Sequence, residues 1–166
     1  MKMKKVLTGL VLFGATLALV ACGNSSSTTT SSSSEASTTV EATSVWMDGT
    51  YTGESDYDER GWKVVHSITI KDGKITESAF GYADKDGNLK ADNEEYNTAM
   101  KDKSGVSSKE ATEQLNAQLV ETQDVDAVEV VSGATHTSTN FTTATKALLA
   151  AAEEGNTDPV TFDLGE

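Results

Sequence analysis

Trp62-Lys63-Val64-Val65-His66-Ser67-Ile68-Thr69-Ile70-Lys71-Asp72-Gly73-Lys74-Ile75 carries the strongest structural signal in the chain. Val64, His66, Ile68 and Ile70 alternate with more polar neighbours, which places them on one face of a strand. Lys71-Asp72-Gly73-Lys74 has the composition of a tight hairpin turn, and Ile75 to Tyr82 reads as the returning strand. Upstream, Asp48-Gly49 is a turn signal that leads into a short strand through Thr50-Tyr51-Thr52-Gly53. Downstream, Asp84-Lys85-Asp86-Gly87-Asn88 is a polar turn. A calcium loop starting at Asp84 would need glycine at its sixth position, which is Leu89, so no metal is expected there.

A helical half follows. Asn93 to Lys103 suggests a helix whose Tyr96 and Met100 share a face, and Gly105 breaks it. Ser107-Ser108-Lys109-Glu110 has capping-box spacing, and Ala111, Leu115 and Leu119 then recur at helical intervals. Val128 to Val131 is predicted as a short strand. Thr139 or Asn140 is predicted to cap a last helix with Ala144, Leu148 and Ala151 or Ala152 on one side. Glu153-Glu154-Gly155 ends it, and a tail with Val160 and Phe162 is predicted to dock as an edge strand. The expected class is α+β: a small antiparallel sheet with an N-terminal hairpin, packed against helices, in one domain over residues 46–164.

The rest of the 166 residues differs in kind. Thirteen Lys and Arg face 26 Asp and Glu, for a net charge of −13, so the basic footprint of a nucleic-acid binder is absent. Cys22 is the only cysteine, which rules out an intramolecular disulfide and a cysteine-built zinc or iron–sulfur site. Residues 1–21 hold Lys2, Lys4 and Lys5 and then an uncharged apolar run from Val6 to Ala21, the pattern of a secretory signal. Leu19-Val20-Ala21-Cys22-Gly23 resembles the lipobox of bacterial lipoproteins. That resemblance implies cleavage before Cys22 and a diacylglycerol (palmitate-type chains) on its sulfur, a two-chain membrane anchor on the extracytoplasmic face. Cleavage also moves the net charge from −13 to −16. From Ser25 to Val45, 15 of 21 residues are Ser or Thr with no aromatic, a composition that cannot offset its ordering entropy. Residues 22–45 are therefore expected to be a lipidated tether spanning roughly 25 Å as a flexible coil.

Ser132-Gly133-Ala134-Thr135-His136-Thr137-Ser138 is the densest chemical segment. Gly133 and Ala134 leave room for close approach to the backbone. Thr135, Thr137 and Ser138 supply hydroxyls, and the following helix start supplies N–H groups, a combination suited to a phosphate. It is not a phosphate loop of the Gly-x4-Gly-Lys type. A helix-capping turn without a ligand is the plain alternative.

The string Ser132-Gly133-Ala134-Thr135-x-Thr137-Ser138 resembles the motif of the FMN-binding domain family. That family is shared by a subunit of sodium-pumping quinone reductases, by related electron-transport complexes and by small secreted lipoproteins. Asp48 to Gly53, Ile68 to Ile75 and Asp84 to Gly105 are similar to other parts of it, including the domains of a Gram-positive lipoprotein used for extracellular electron transfer. The resemblance implies that Thr135 carries FMN through a phosphoester, installed outside the cytoplasm by a flavin transferase, with Ser132, Gly133, Ala134, Thr137 and Ser138 around it. The acid six residues before the modified threonine, usually Asp in the family, is Glu129 here and is implied to serve transferase recognition. Trp62 and Tyr82 are open to two roles, flanking the flavin ring or packing the core. His66 is read as structural, and His136 is unassigned.

The function so implied is an electron carrier rather than a stand-alone enzyme, passing electrons from a membrane donor such as a quinone-linked dehydrogenase to an extracellular acceptor. No catalytic residue and no metal ligand is assigned. The cell would be Gram-positive. The alternative is a non-redox surface lipoprotein that binds another ligand or a protein partner.

Overall fold

The computed structural model describes residues 46–165. The leader over 1–21, Cys22 and the tether lie outside the described residues.

Four strands form one sheet: β1 (Gly49–Glu54), β2 (Lys63–Lys71), β3 (Lys74–Ala83) and β4 (Val160–Thr161), in the order β3-β2-β1-β4. The first three pair antiparallel, with Tyr51 opposite Ile68 and His66 opposite Phe80. The tail docks as an edge strand, and it does so parallel to β1, with Val160 opposite Gly53. A Cβ at Gly53 would come within 2.3 Å of the Phe162 ring, so glycine there lets the tail lie down on the sheet. In the hairpin turn Asp72 and Gly73 both take positive φ (53° and 67°), the twist that suits a two-residue connection. Asp48 accepts the Gly73 N–H at 2.9 Å, and this bond holds its carboxyl below the usual range.

The alternation of β2 holds throughout: Val64, His66, Ile68 and Ile70 are all buried. β3 departs from a plain alternation. Its register skips from Glu77 opposite Thr69 to Ile75 opposite Ile70, leaving Thr76 as an extra residue. That bulge changes the parity of the strand, so Ile75 and Phe80, five apart, both face the core.

Three helices cover the sheet: α1 (Glu94–Ser104), α2 (Ser108–Thr122) and α3 (Thr135–Glu154). Asn93 caps α1 by accepting from the Tyr96 N–H, and Gly105 ends it in the left-handed conformation. The capping box of α2 is present in both directions between Ser107 and Glu110. Lys101 pairs with the Glu110 carboxylate and Ser107 bonds it too, which together take that carboxyl down to about 2. Ala111, Leu115 and Leu119 of α2 and Phe141, Ala144 and Leu148 of α3 are wholly buried against the sheet. His66 sits among them, 5.4 Å from the rings of both Phe80 and Phe141, with its Nε2 3.0 Å from the Thr145 hydroxyl. Burial pushes its imidazole down to about 4. The Met47 N–H bonds the Ala152 carbonyl at 2.9 Å, tying the start of the domain to the C-terminal end of α3. No helix of the described residues is long and apolar enough to cross a membrane.

Two expectations change. Residues 128–131 are not a strand. The backbone of Glu129 is held by one side chain instead, for Gln118 accepts its N–H at 2.8 Å and donates to its carbonyl at 3.5 Å. The last helix begins at Thr135, not at Thr139 or Asn140. Its N-cap is Ala134, whose carbonyl accepts the Ser138 N–H at 3.0 Å.

Candidate functional site

The chain reaches α3 through Gly133, at φ 81°. A Cβ there would lie 2.1 Å from the Ser104 carbonyl oxygen. The sequence reading took Gly133 as clearance for a ligand; the direction a Cβ would take is filled by the backbone at the end of α1, while the residue itself stays exposed. Ser138 is likewise engaged. It is buried, its hydroxyl accepts the Val131 N–H at 3.1 Å and donates to the Ala134 carbonyl at 3.1 Å, so it fastens the loop to the first turn of α3 and is not free for a phosphate. Ser132 and Glu129 are exposed, and neither lines the cavity described next.

A cavity of about 220 Å³ opens beside the start of α3. Gly133, Ala134, Thr135 and Thr137 of the motif line it. Thr135 is the first residue of α3 and is exposed. Ala134 has no side chain with which to cap the helix, and the first turn contains no acid. The positive end of a 20-residue helix thus borders the cavity with no acid of its own in the first turn, and Asp56, Asp58 and Arg60 also line that cavity.

Aromatic rings from three elements complete the walls: Trp62 before β2, Tyr82 on β3 and Tyr96 on α1. The loop carrying Trp62 is fixed by Asp58, whose Oδ1 accepts the N–H groups of Arg60 at 2.9 Å and Trp62 at 2.8 Å. Tyr82 is tied to α3, because Asn140 Nδ2 donates to its hydroxyl at 3.3 Å. Asn140 Nδ2 also lies 3.4 Å from His136 Nε2. Of the two roles open to Trp62 and Tyr82, the structure shows packing, with Tyr82 edge-on against Phe80 and Trp62 against the core, and it places both side chains on the cavity wall.

Lys90 is the residue that sequence reasoning missed. It opens a 3-10 turn (Lys90–Asp92) and is only 8% exposed. Its ammonium stands 4.4 Å from the Tyr82 ring centre, 4.7 Å from Trp62 and 5.2 Å from Tyr96. No local pattern around Leu89-Lys90-Ala91 announces this, because the rings come from distant segments.

Known proteins carry the same domain. Residues 61–150 match the family described as the FMN-binding domain. The 15 kDa lipoprotein of Treponema pallidum (strain Nichols) is 32% identical over 114 residues, which span 68% of this chain and 81% of that protein. The crystal structure of a protein from Clostridium perfringens superposes with a TM-score of 0.67 at 34% identity, covering 71% of this chain and 99% of that one. With the family match spanning more than half its length, and a bacterial lipoprotein among its relatives, this chain is a member of the FMN-binding domain family.

Proposed function

We propose that this protein is an extracytoplasmic electron carrier that holds FMN covalently through a phosphoester on the Thr135 hydroxyl. The observation that carries the reading is the position of Thr135: exposed, first in an uncapped helix, and opening onto a cavity walled by aromatic rings. The residues present fit the cofactor. The first-turn N–H groups of α3 suit a phosphate, and Trp62, Tyr82 and Tyr96 suit a flat ring system. FMN, when bound, supplies one- and two-electron chemistry. The chain's part is to fix and enclose it. Thr135 anchors it, Thr137 adds a hydroxyl on the same wall, and Asn140 holds Tyr82 in place. Glu129 stays on the surface, six residues before Thr135, where a flavin transferase can reach it. The same proposal includes a leader over 1–21, lipid on Cys22, a tether to residue 45 and a domain over 46–164, held at the outer face of a Gram-positive cell membrane. Its electrons would come from a quinone-linked membrane dehydrogenase.

Intact mass tests the attachment. Co-expression with a flavin transferase should raise the mass by one FMN less one water and give a yellow protein, and Thr135→Val should abolish both changes. An unmodified mass beside a transferase shown to be active on another substrate would sink the covalent reading.

A further inference from the structure

We propose that Ser108 and Asn140 bind the isoalloxazine ring of the flavin, with the Ser108 N–H and hydroxyl donating to a ring carbonyl and Asn140 Oδ1 accepting from the ring's imide N–H. This rests on the FMN reading above. Besides Tyr82, the buried polar side chains on the cavity wall are Ser55, Lys90, Ser108 and Asn140. Ser55 is engaged within the chain, for its hydroxyl donates to the Asp56 carbonyl at 2.8 Å and accepts the Val64 N–H at 3.0 Å. Lys90 has partners of its own, the surrounding rings among them. Asp56, Asp58 and Arg60 line the cavity at more exposed positions. Ser108 and Asn140 differ from all of these. They are 3% and 2% exposed, and each keeps a hydrogen-bonding group that no described residue meets.

Four N–H groups at the start of α2 lack an acceptor within the helix. That of Ser107 goes to the Glu110 carboxylate at 3.0 Å, that of Lys109 to Asn97 Oδ1 at 3.1 Å and that of Glu110 to the Ser107 hydroxyl at 3.1 Å. The Ser108 N–H is left, and the Ser108 hydroxyl has no partner among the described residues either. Among those residues His66 Nδ1 is the one side-chain polar atom that is both sealed from solvent and unpartnered, so the Ser108 hydroxyl keeps access to the cavity it lines. Asn140 Nδ2 is turned to Tyr82 and His136, which leaves Oδ1 as an acceptor open to the same cavity. Alanine and leucine would fill these two positions without unmet groups, which cost stability when buried and in native structures mark a ligand or an ordered water. Donor and acceptor together select the ligand. A phosphodiester only accepts and has no use for Asn140 Oδ1, whereas the isoalloxazine edge carries carbonyl, N–H and carbonyl in turn and answers both residues.

The test uses the full chain made without a flavin transferase, so that Thr135 stays unmodified. FMN, riboflavin (which lacks the phosphate) and riboflavin methylated on its imide nitrogen are each titrated by quenching of flavin fluorescence. The unsubstituted chain should bind riboflavin roughly tenfold more tightly than the methylated analogue, as expected for loss of one hydrogen bond that leaves a buried acceptor unmet. Asn140→Leu should bring that ratio close to one, and Asn140→Asp, which keeps an acceptor, should preserve it; a purely structural asparagine would leave the ratio unmoved in both. Ser108→Ala should weaken FMN and riboflavin by the same factor, about fivefold. The comparison of the two riboflavins on the unsubstituted chain decides even where a variant fails to fold, and equal affinity for them would overturn the proposal. Weakening by Ser108→Ala confined to FMN would put its donors on the phosphate and overturn it too. Unchanged affinity for FMN and riboflavin in Ser108→Ala would leave those donors to water and overturn it while the FMN reading stands. Failure of the unsubstituted chain to bind any of the three flavins would instead overturn the FMN reading itself, and this inference with it.

Discussion

Adding a methyl group at Gly133 would place a carbon 2.1 Å from the Ser104 carbonyl oxygen, on a backbone already at φ 81°. Gly133→Ala should therefore cost about 2 kcal/mol or more of stability, measured by urea denaturation of the flavin-free protein. An unchanged midpoint would mean that the loop has room after all, and that the glycine is there for a ligand. The distinction matters because the seven-residue motif is not chemically uniform. Thr135 and Thr137 face the cavity, whereas Ser138 and Gly133 hold the loop that presents them. A sequence pattern shows that such residues occur together but does not divide them between contact and support.

Among the elements, α2 has a second task besides packing. β3 is an edge strand, and the amide side chains of Asn116 on α2 and of Gln123, its C-cap, occupy its outer hydrogen-bonding groups. Asn116 accepts the Phe80 N–H at 2.9 Å, and Gln123 accepts the Ile75 N–H at 2.8 Å while donating to the Ile75 carbonyl at 2.8 Å. These contacts blunt an edge that would otherwise offer itself to another strand. Asn116→Ala should destabilise the domain by about 1–3 kcal/mol through the orphaned groups of Phe80. The Phe80 amide should also lose protection in hydrogen exchange while the Ile75 amide keeps its own; equal protection of Phe80 in both proteins would contradict this account. The same device explains what could and could not be read beforehand. The β2 alternation, the hairpin turn and the Ser107–Glu110 box are local, so their residues declare them. Residues 128–131 read as a strand, but their partner is a glutamine side chain on α2, and no strand signal can distinguish that. The start of α3 was misplaced because Ala134 caps it with no side-chain bond, leaving nothing for a capping rule to detect. The Lys90 box was invisible for the opposite reason, since it exists only after β3, α1 and the loop before β2 have come together.

For the molecule as a whole, His66 makes stability depend on pH from within the core. Its folded-state value of about 4 lies below the ordinary 6.5, so the unfolded chain takes up a proton between those limits and the folded one does not. Its contribution is complete above about pH 6.5 and is lost as pH falls toward 4, with a slope of at most about 1.4 kcal/mol per pH unit. Comparing the chain with His66→Phe by denaturation at pH 7 and pH 5 isolates this from the general titration of an acidic surface. The difference in stability between the two proteins should shift toward the variant at pH 5, and an identical difference at both pH values would contradict it. The bond from Met47 to Ala152 adds a matter of reach. It brings the chain in at one end of α3, and Thr135 lies seventeen residues away at the other, about 25 Å along the helix axis. A full helix length therefore separates the point where the described chain enters the domain from the cavity wall that Thr135 forms.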